Sequence, residues 1–224
     1  MTTPELKLWL QLIITSAVIA LTLFLCAGTI AYWEAWLYLA VGAFTSIPLT
    51  RLMLTDPTLL ESRTRAGPAA ERRSIQKVIV ACLAAASLTA FVLPGLDHRF
   101  GWSSVPSWLA ICGNALIVLA MWLCYRVFQE NRYGSATVEI GHGQHVVSTG
   151  PYAVVRHPMY SAAALYFVGM TLALGSWWGL VPAALMTLGF VWRLFDEEKF
   201  LAEHLPGYTD YCAKVRWRLM PGVF

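Results

Sequence analysis

Between Met159 and Trp192 the chain runs for 34 residues without one charged side chain. That excludes most soluble architectures, because a surface helix or strand needs polar residues on its solvent face. A helix crosses the hydrocarbon core of a bilayer with roughly 20 apolar residues. The run is too long for one crossing, and Gly175-Ser176-Trp177-Trp178-Gly179 interrupts it with turn-forming residues. Two helices joined by a tight turn are therefore expected. Four earlier stretches, Leu8–Thr29, Trp33–Leu54, Val78–Leu96 and Val105–Phe128, are each long enough to cross once. The expected fold is all-α, a polytopic transmembrane helical bundle of about six spans. Composition agrees: 13% of the residues are charged, against about 25% in soluble domains. The first stretch exceeds the ~7–15 apolar residues of a secretory signal and has no convincing cleavage site, so it reads as a span.

Six spans put both termini on one side, and the basic residues test that arrangement. Lys7, the basic residues from Arg51 to Lys77, then Arg126, Arg132 and Arg156, and the tail from Arg193 to Arg218 place fifteen of the sixteen lysines and arginines on one face. Arg99 falls on the other. Positive charge collects in cytoplasmic loops, so both termini and these connections are expected in the cytoplasm, with the Arg-rich connector Asp56–Ser74 along the lipid surface. Tyr32, Trp33, Trp36, Tyr38, Trp102, Trp108, Trp177 and Trp178 are expected to form an aromatic belt at the opposite interface. A net charge of +3 offers a nucleic acid little to hold. The five cysteines, 26, 82, 112, 124 and 212, form no C-x-x-C pair. They read as reduced, small apolar residues.

The polar chemistry collects in two segments on the basic face: Gln129–His157, before the fifth span, and Arg193–Phe224, after the sixth. They are expected to meet. In the first, Pro158 suits the opening turn of a helix, and His157 falls at its N-cap. The free N–H groups and positive dipole end there favour an anion, with Arg156 alongside. Gly141-His142-Gly143 and Gly150-Pro151 mark turns where backbone approaches a ligand closely. The same residues also serve as a plain headgroup anchor. In the second segment, Arg193 faces Asp196 and Glu197 on a regular helix, while Glu198 points away. These ionisable residues at a membrane boundary invite a functional role, or else form an interfacial ion-pair cluster of small energetic value. Tyr208 and Tyr211 either cover a ligand or sit in the interface. His142, His145 and His157 lack the carboxylate or cysteine that would complete a metal site, so no metal is expected. No P-loop, G-x-S-x-G or long dinucleotide fingerprint occurs.

Together, "GQHVVSTGPYAVVRHPMY", a helical hairpin, and "RLFDEEKFLAEHLPGYTDYCAKV" resemble the membrane methyltransferases that include isoprenylcysteine carboxyl methyltransferase and the phospholipid N-methyltransferases. The resemblance covers about Asn131 to Pro221. It rests on an R-H-P-x-Y element, an R-x-x-x-E-E element and a closing G-Y-x-x-Y. It implies a transmembrane scaffold over 1–128 and a catalytic region over 129–224, within one structural domain. It also implies S-adenosyl-L-methionine as cofactor, in a cytoplasmic pocket formed by the loop before span five and the C-terminal segment. By the same resemblance Gln144, Val147, Gly150 and Tyr152 line the cofactor, Arg156, His157 and Tyr160 hold its methionine end, and Glu197 faces it. Arg193 and Glu198 sit on the substrate side as catalytic residues, with Glu198 orienting Arg193 or taking up a proton. The acceptor would be a lipid or amphipathic small molecule, methylated at carboxyl oxygen, nitrogen or sulfur. One departure stands at Ala162, where the family often has glycine. An NADPH-dependent membrane reductase resembling sterol reductases, or a non-enzymatic membrane factor with the same fold, are the alternative readings.

Overall fold

The structure, a computed structural model, describes residues 3–56, 59–60, 69, 71, 73–131, 133 and 143–224. Seven helices account for most of them: α1 Thr3–Ala27, α2 Trp33–Thr55, α3 Ser74–Phe100, α4 Ser107–Glu130, α5 Pro158–Ala173, α6 Leu180–His204 and the short α7 Tyr208–Lys214. No strand occurs among the described residues. Arg63, Arg65, Arg72 and Arg132, most of the Asp56–Ser74 connector, and Gly141 and His142 lie outside them.

Helices α1 to α4 are each long and apolar enough to cross a membrane. The uncharged run divides where the glycines stand. Leu174 ends α5, Gly175 takes a left-handed φ of 70°, and α6 begins at Leu180. Helix α5 has 16 residues, ~24 Å of rise. The apolar part of α6, from Leu180 to Trp192, rises ~20 Å. Both fall short of the ~30 Å hydrocarbon core, so by length four helices are candidates to cross and the α5–α6 hairpin is left open.

The hairpin is seated by small residues. A Cβ added to Gly113 of α4 would lie 2.4 Å from the Ala173 nitrogen and 2.6 Å from the Gly169 carbonyl oxygen of α5. The two backbones touch there, as small residues permit in membrane helices. The end of the hairpin is closed by Asp97, whose carboxylate accepts from Ser103 N–H (2.7 Å), Ser103 Oγ (2.6 Å) and Ser176 Oγ (2.5 Å). This end departs from the expected belt. Trp33, Trp36, Trp102, Trp108, Trp177 and Trp178 are exposed, but Tyr32 and Tyr38 are core residues, 0% and 2% exposed. Tyr32 donates to the Leu174 carbonyl, and Tyr38 shares a hydrogen bond with the Tyr166 hydroxyl. A buried phenol keeps its hydroxyl hydrogen-bonded, and the partners on and at the end of α5 draw Tyr32 and Tyr38 inward. All five cysteines are free thiols.

Candidate active site

The site lies at the bundle end where α5 begins and α6 leaves its apolar stretch. Pro158 holds N1 of α5 and His157 is its N-cap. The chain after α7 returns across that point. Arg156 N–H donates to Trp217 O and His157 N–H to Arg218 O, both at 2.9 Å, and Ser161 Oγ donates to Leu219 O at 2.6 Å. The C-terminal strap is thereby laced onto the R-H-P element. Both segments expected to meet do so, backbone to backbone.

The side chains continue the joint. Glu198, on the turn of α6 beyond Trp192, accepts from Arg156 Nη1 at 3.1 Å and Arg218 Nε at 2.9 Å, with His157 Nε2 3.4 Å away. Arg156 also donates from Nε to Val215 O and from Nη2 to Cys212 O. Burial pushes the Glu198 carboxyl up, but His157, Arg218 and Arg156 drawn around it more than offset that and hold it at about 2. It is therefore ionised at any working pH. Burial pushes the Tyr208 and Tyr211 hydroxyls and the Cys212 thiol up, so these stay protonated at neutral pH.

A second group lies deeper. Arg193 is 6% exposed. Its Nη2 is 2.8 Å from Glu71 Oε1, and its Nε donates to the Tyr160 hydroxyl at 3.1 Å. Tyr160 in turn donates to Glu197 Oε2 at 2.5 Å. The Tyr160 ring is stacked between His157 and Phe190, 5.6 Å from each, so the two polar groups share a wall. Ala162, two residues further along α5, is 3% exposed.

Three consecutive acids thus go three ways. Asp196 does not pair with Arg193 as its i+3 spacing suggested. It is held by both terminal nitrogens of Arg73, at 2.7 and 2.8 Å, and by Gln76 Nε2 at 2.5 Å. The start of α3 packs along α6 there, and a two-pronged arginine satisfies a carboxylate better than one i+3 neighbour. Glu198 likewise does not orient Arg193, which is held by Glu71 and Tyr160.

The loop residues form a third side. Gly150 has a left-handed φ of 57°, and a Cβ there would lie 2.5 Å from Glu130 Cγ. Glu130 accepts from Thr149 Oγ1. Tyr152 accepts from Asn131 Nδ2 at 2.9 Å on its hydroxyl and from the Tyr211 hydroxyl at 2.8 Å on its carbonyl. Gln144 and Val147 lie half-buried on the stretch before this turn, where Val146 packs on Leu205, Tyr208, Tyr211 and Val215.

Sequence reading passed over Glu71 and Arg218, counting the second only as positive charge. Glu71 is one of three acids, with Asp56 and Glu61, in the Arg-rich connector Asp56–Ser74, and nothing local in the sequence set it apart. Among the described residues the buried Tyr208 hydroxyl has no hydrogen-bond partner, and His157 Nε2 has nothing nearer than Glu198 Oε1 at 3.4 Å. Such atoms at one cluster mark where a polar ligand finds partners. Among the described residues no group of three His, Cys, Asp or Glu is placed to hold a metal.

Residues 108–206 match the family model described as phospholipid methyltransferase. The match spans α4 to α6 and bears out the resemblance carried by the R-H-P-x-Y and E-E elements. Over this region the chain is similar to phospholipid methyltransferases. No curated protein matches the chain.

Proposed function

We propose, from the phospholipid methyltransferase family that residues 108–206 match, that the chain is an integral membrane methyltransferase using S-adenosyl-L-methionine on a lipid or amphipathic acceptor. The observation that carries the reading is the joint at Glu198, where Arg156 and His157 meet Arg218 of the strap. It brings the two polar segments into one site. Residues 129–224 supply most of the chemistry and 1–128 the scaffold, with Glu71 reaching in from the scaffold. The basic face is the cytoplasmic one, so both termini, the site and the six-span topology are oriented accordingly.

The residues suit that cofactor. Its ends offer a carboxylate, an ammonium, hydroxyls and a sulfonium. Among the described residues the Tyr208 hydroxyl is a buried polar atom in want of a partner, and His157 Nε2 has only its 3.4 Å approach to Glu198. Tyr152 and Tyr208 offer aromatic faces of the kind that attract a cation, whereas both faces of Tyr160 are taken by His157 and Phe190. Gln144, Val147 and Gly150 lie on the approach, and Glu197 is turned inward by Tyr160. Arg156 already serves Glu198 and two carbonyls, so it builds the pocket wall. Bound there, S-adenosyl-L-methionine supplies an electrophilic methyl group.

Arg193 meets the acceptor in this reading. Glu71 and Tyr160 fix its guanidinium, which orients an anionic acceptor headgroup. Glu197 Oε accepts a proton where the nucleophile is an amine or thiol. Glu198 keeps the strap shut and water out. Alignment and dryness are the main needs of an in-line displacement.

Isothermal titration of the detergent-purified protein with S-adenosylhomocysteine tests the cofactor. Saturable heat that persists in Arg193→Ala, with turnover lost, is the expected pair of results. Absence of both heat and thermal shift sinks the reading.

A further inference from the structure

A groove of about 370 Å³ opens between the C-terminal half of α2 and the end of α4. Ile47, Pro48, Arg51, Leu52, Thr55 and Tyr125 line it, and no residue of the Glu198 or Arg193 groups does. Pro48 lies inside α2 and has no N–H to give, which leaves the carbonyl one turn back without its helical donor. The walls are apolar along Ile47, Pro48 and Leu52. The mouth is polar: Arg51, the Thr55 hydroxyl, and the Tyr125 hydroxyl that accepts from Gln129.

Arg51 is exposed, and among the described residues it forms no ion pair. Its neighbours in charge behave otherwise, since Arg73, Arg156, Arg193 and Arg218 all hold carboxylates. Among the described residues no acid lines the groove. A ligand with a negative head and an apolar body matches it, and a head that also carries an ammonium finds nothing there to receive it. The Tyr125 hydroxyl lines the same mouth as Arg51 and has a proton to give, while the Thr55 hydroxyl spends its own on the Leu52 carbonyl at 2.8 Å. An Arg–phosphate contact is charge-assisted and directional, and the groove continues the surface of helices that cross the membrane.

We propose that this groove holds one anionic phospholipid, its phosphate on Arg51 and an acyl chain along Ile47, Pro48 and Leu52. The site is separate from methyl transfer and does not depend on it. Leu52 also packs with the Leu59, Val127 and Phe128 cluster that Tyr152 and Met159 join, so the lipid braces the layer beneath the loop of the candidate active site.

Native mass spectrometry of the detergent-solubilised protein with added phosphatidylglycerol or phosphatidylcholine tests it. One phosphatidylglycerol is retained by wild type in preference to phosphatidylcholine. Arg51→Ala weakens that retention about fivefold, the effect of one basic residue at a lipid surface. Thr55→Trp, which obstructs the mouth and keeps the charge, weakens it too. Lys7→Ala, which removes an exposed charge from the same face, leaves it unchanged. Each variant is checked for an unaltered melting temperature without added lipid. Equal retention of the two lipids, equal loss in Lys7→Ala and Arg51→Ala, or full retention in Thr55→Trp overturns the proposal.

Discussion

Glu198→Gln is the sharpest probe of how the two polar segments are joined. The substitution keeps shape and removes the charge that Arg156, Arg218 and His157 surround. A carboxyl held at about 2 against an ordinary 4.5 corresponds to roughly 3 kcal/mol at neutral pH, at ~1.4 kcal/mol per tenfold change in proton affinity. The side chain is 13% exposed, so solvent screening trims that only a little. For a chain of this length such a loss lowers Tm by roughly 6–12 °C. The folded carboxyl is depressed, so its stabilisation is fully present above about pH 4.5 and fades as the pH falls towards 2. The assay is thermal unfolding in detergent of both proteins at pH 7 and pH 3. Glu198→Gln melts well below wild type at pH 7, and the gap shrinks to less than half at pH 3. Equal melting at pH 7, or a gap that acid does not narrow, refutes the argument that Glu198 is the electrostatic tie.

Gly113→Ala forces a methyl to within 2.4 Å of backbone on α5 and costs about 1–3 kcal/mol. Gly42→Ala, with nothing within 4 Å, raises Tm slightly through helix propensity; thermal melts of the pair separate packing from propensity. Gly150→Ala combines a left-handed φ with contact on Glu130, so it lowers Tm and weakens S-adenosylhomocysteine binding in titration calorimetry. Tyr160→Phe keeps the ring stack and removes the hydroxyl between Arg193 and Glu197. It lowers kcat by about 10²-fold, measured by methyl transfer to lipid extract, and lowers Tm by several degrees because the buried Arg193 and Glu197 each lose a partner.

The helices were legible because their signals are local. The uncharged run, its glycine break and Pro158 placed α5 and α6 correctly. The R-H-P and E-E elements were legible as a pair for the same reason, since each lies at a helix end beside polar chain. Tyr32 and Tyr38 were misplaced in the belt because their sequence neighbours Trp33 and Trp36 are truly exposed. Position along the chain says nothing of which side of a helix finds a partner. Asp196 was misassigned because its partner Arg73 lies 123 residues away.

Hydrophobicity and charge act on each segment through its solvent, so the sequence by itself determined that this chain forms apolar helices with one strongly basic end and a methyltransferase-like pair of elements there. Successive helix residues turn by ~100°, so Asp196, Glu197 and Glu198 must face three directions. Which partners wait in those directions depends on how α3, α5 and the strap pack around α6. Only the tertiary structure decided that Asp196 meets Arg73, Glu197 meets Tyr160 and Glu198 meets Arg156, because a contact between distant segments exists only once their backbones have been brought together.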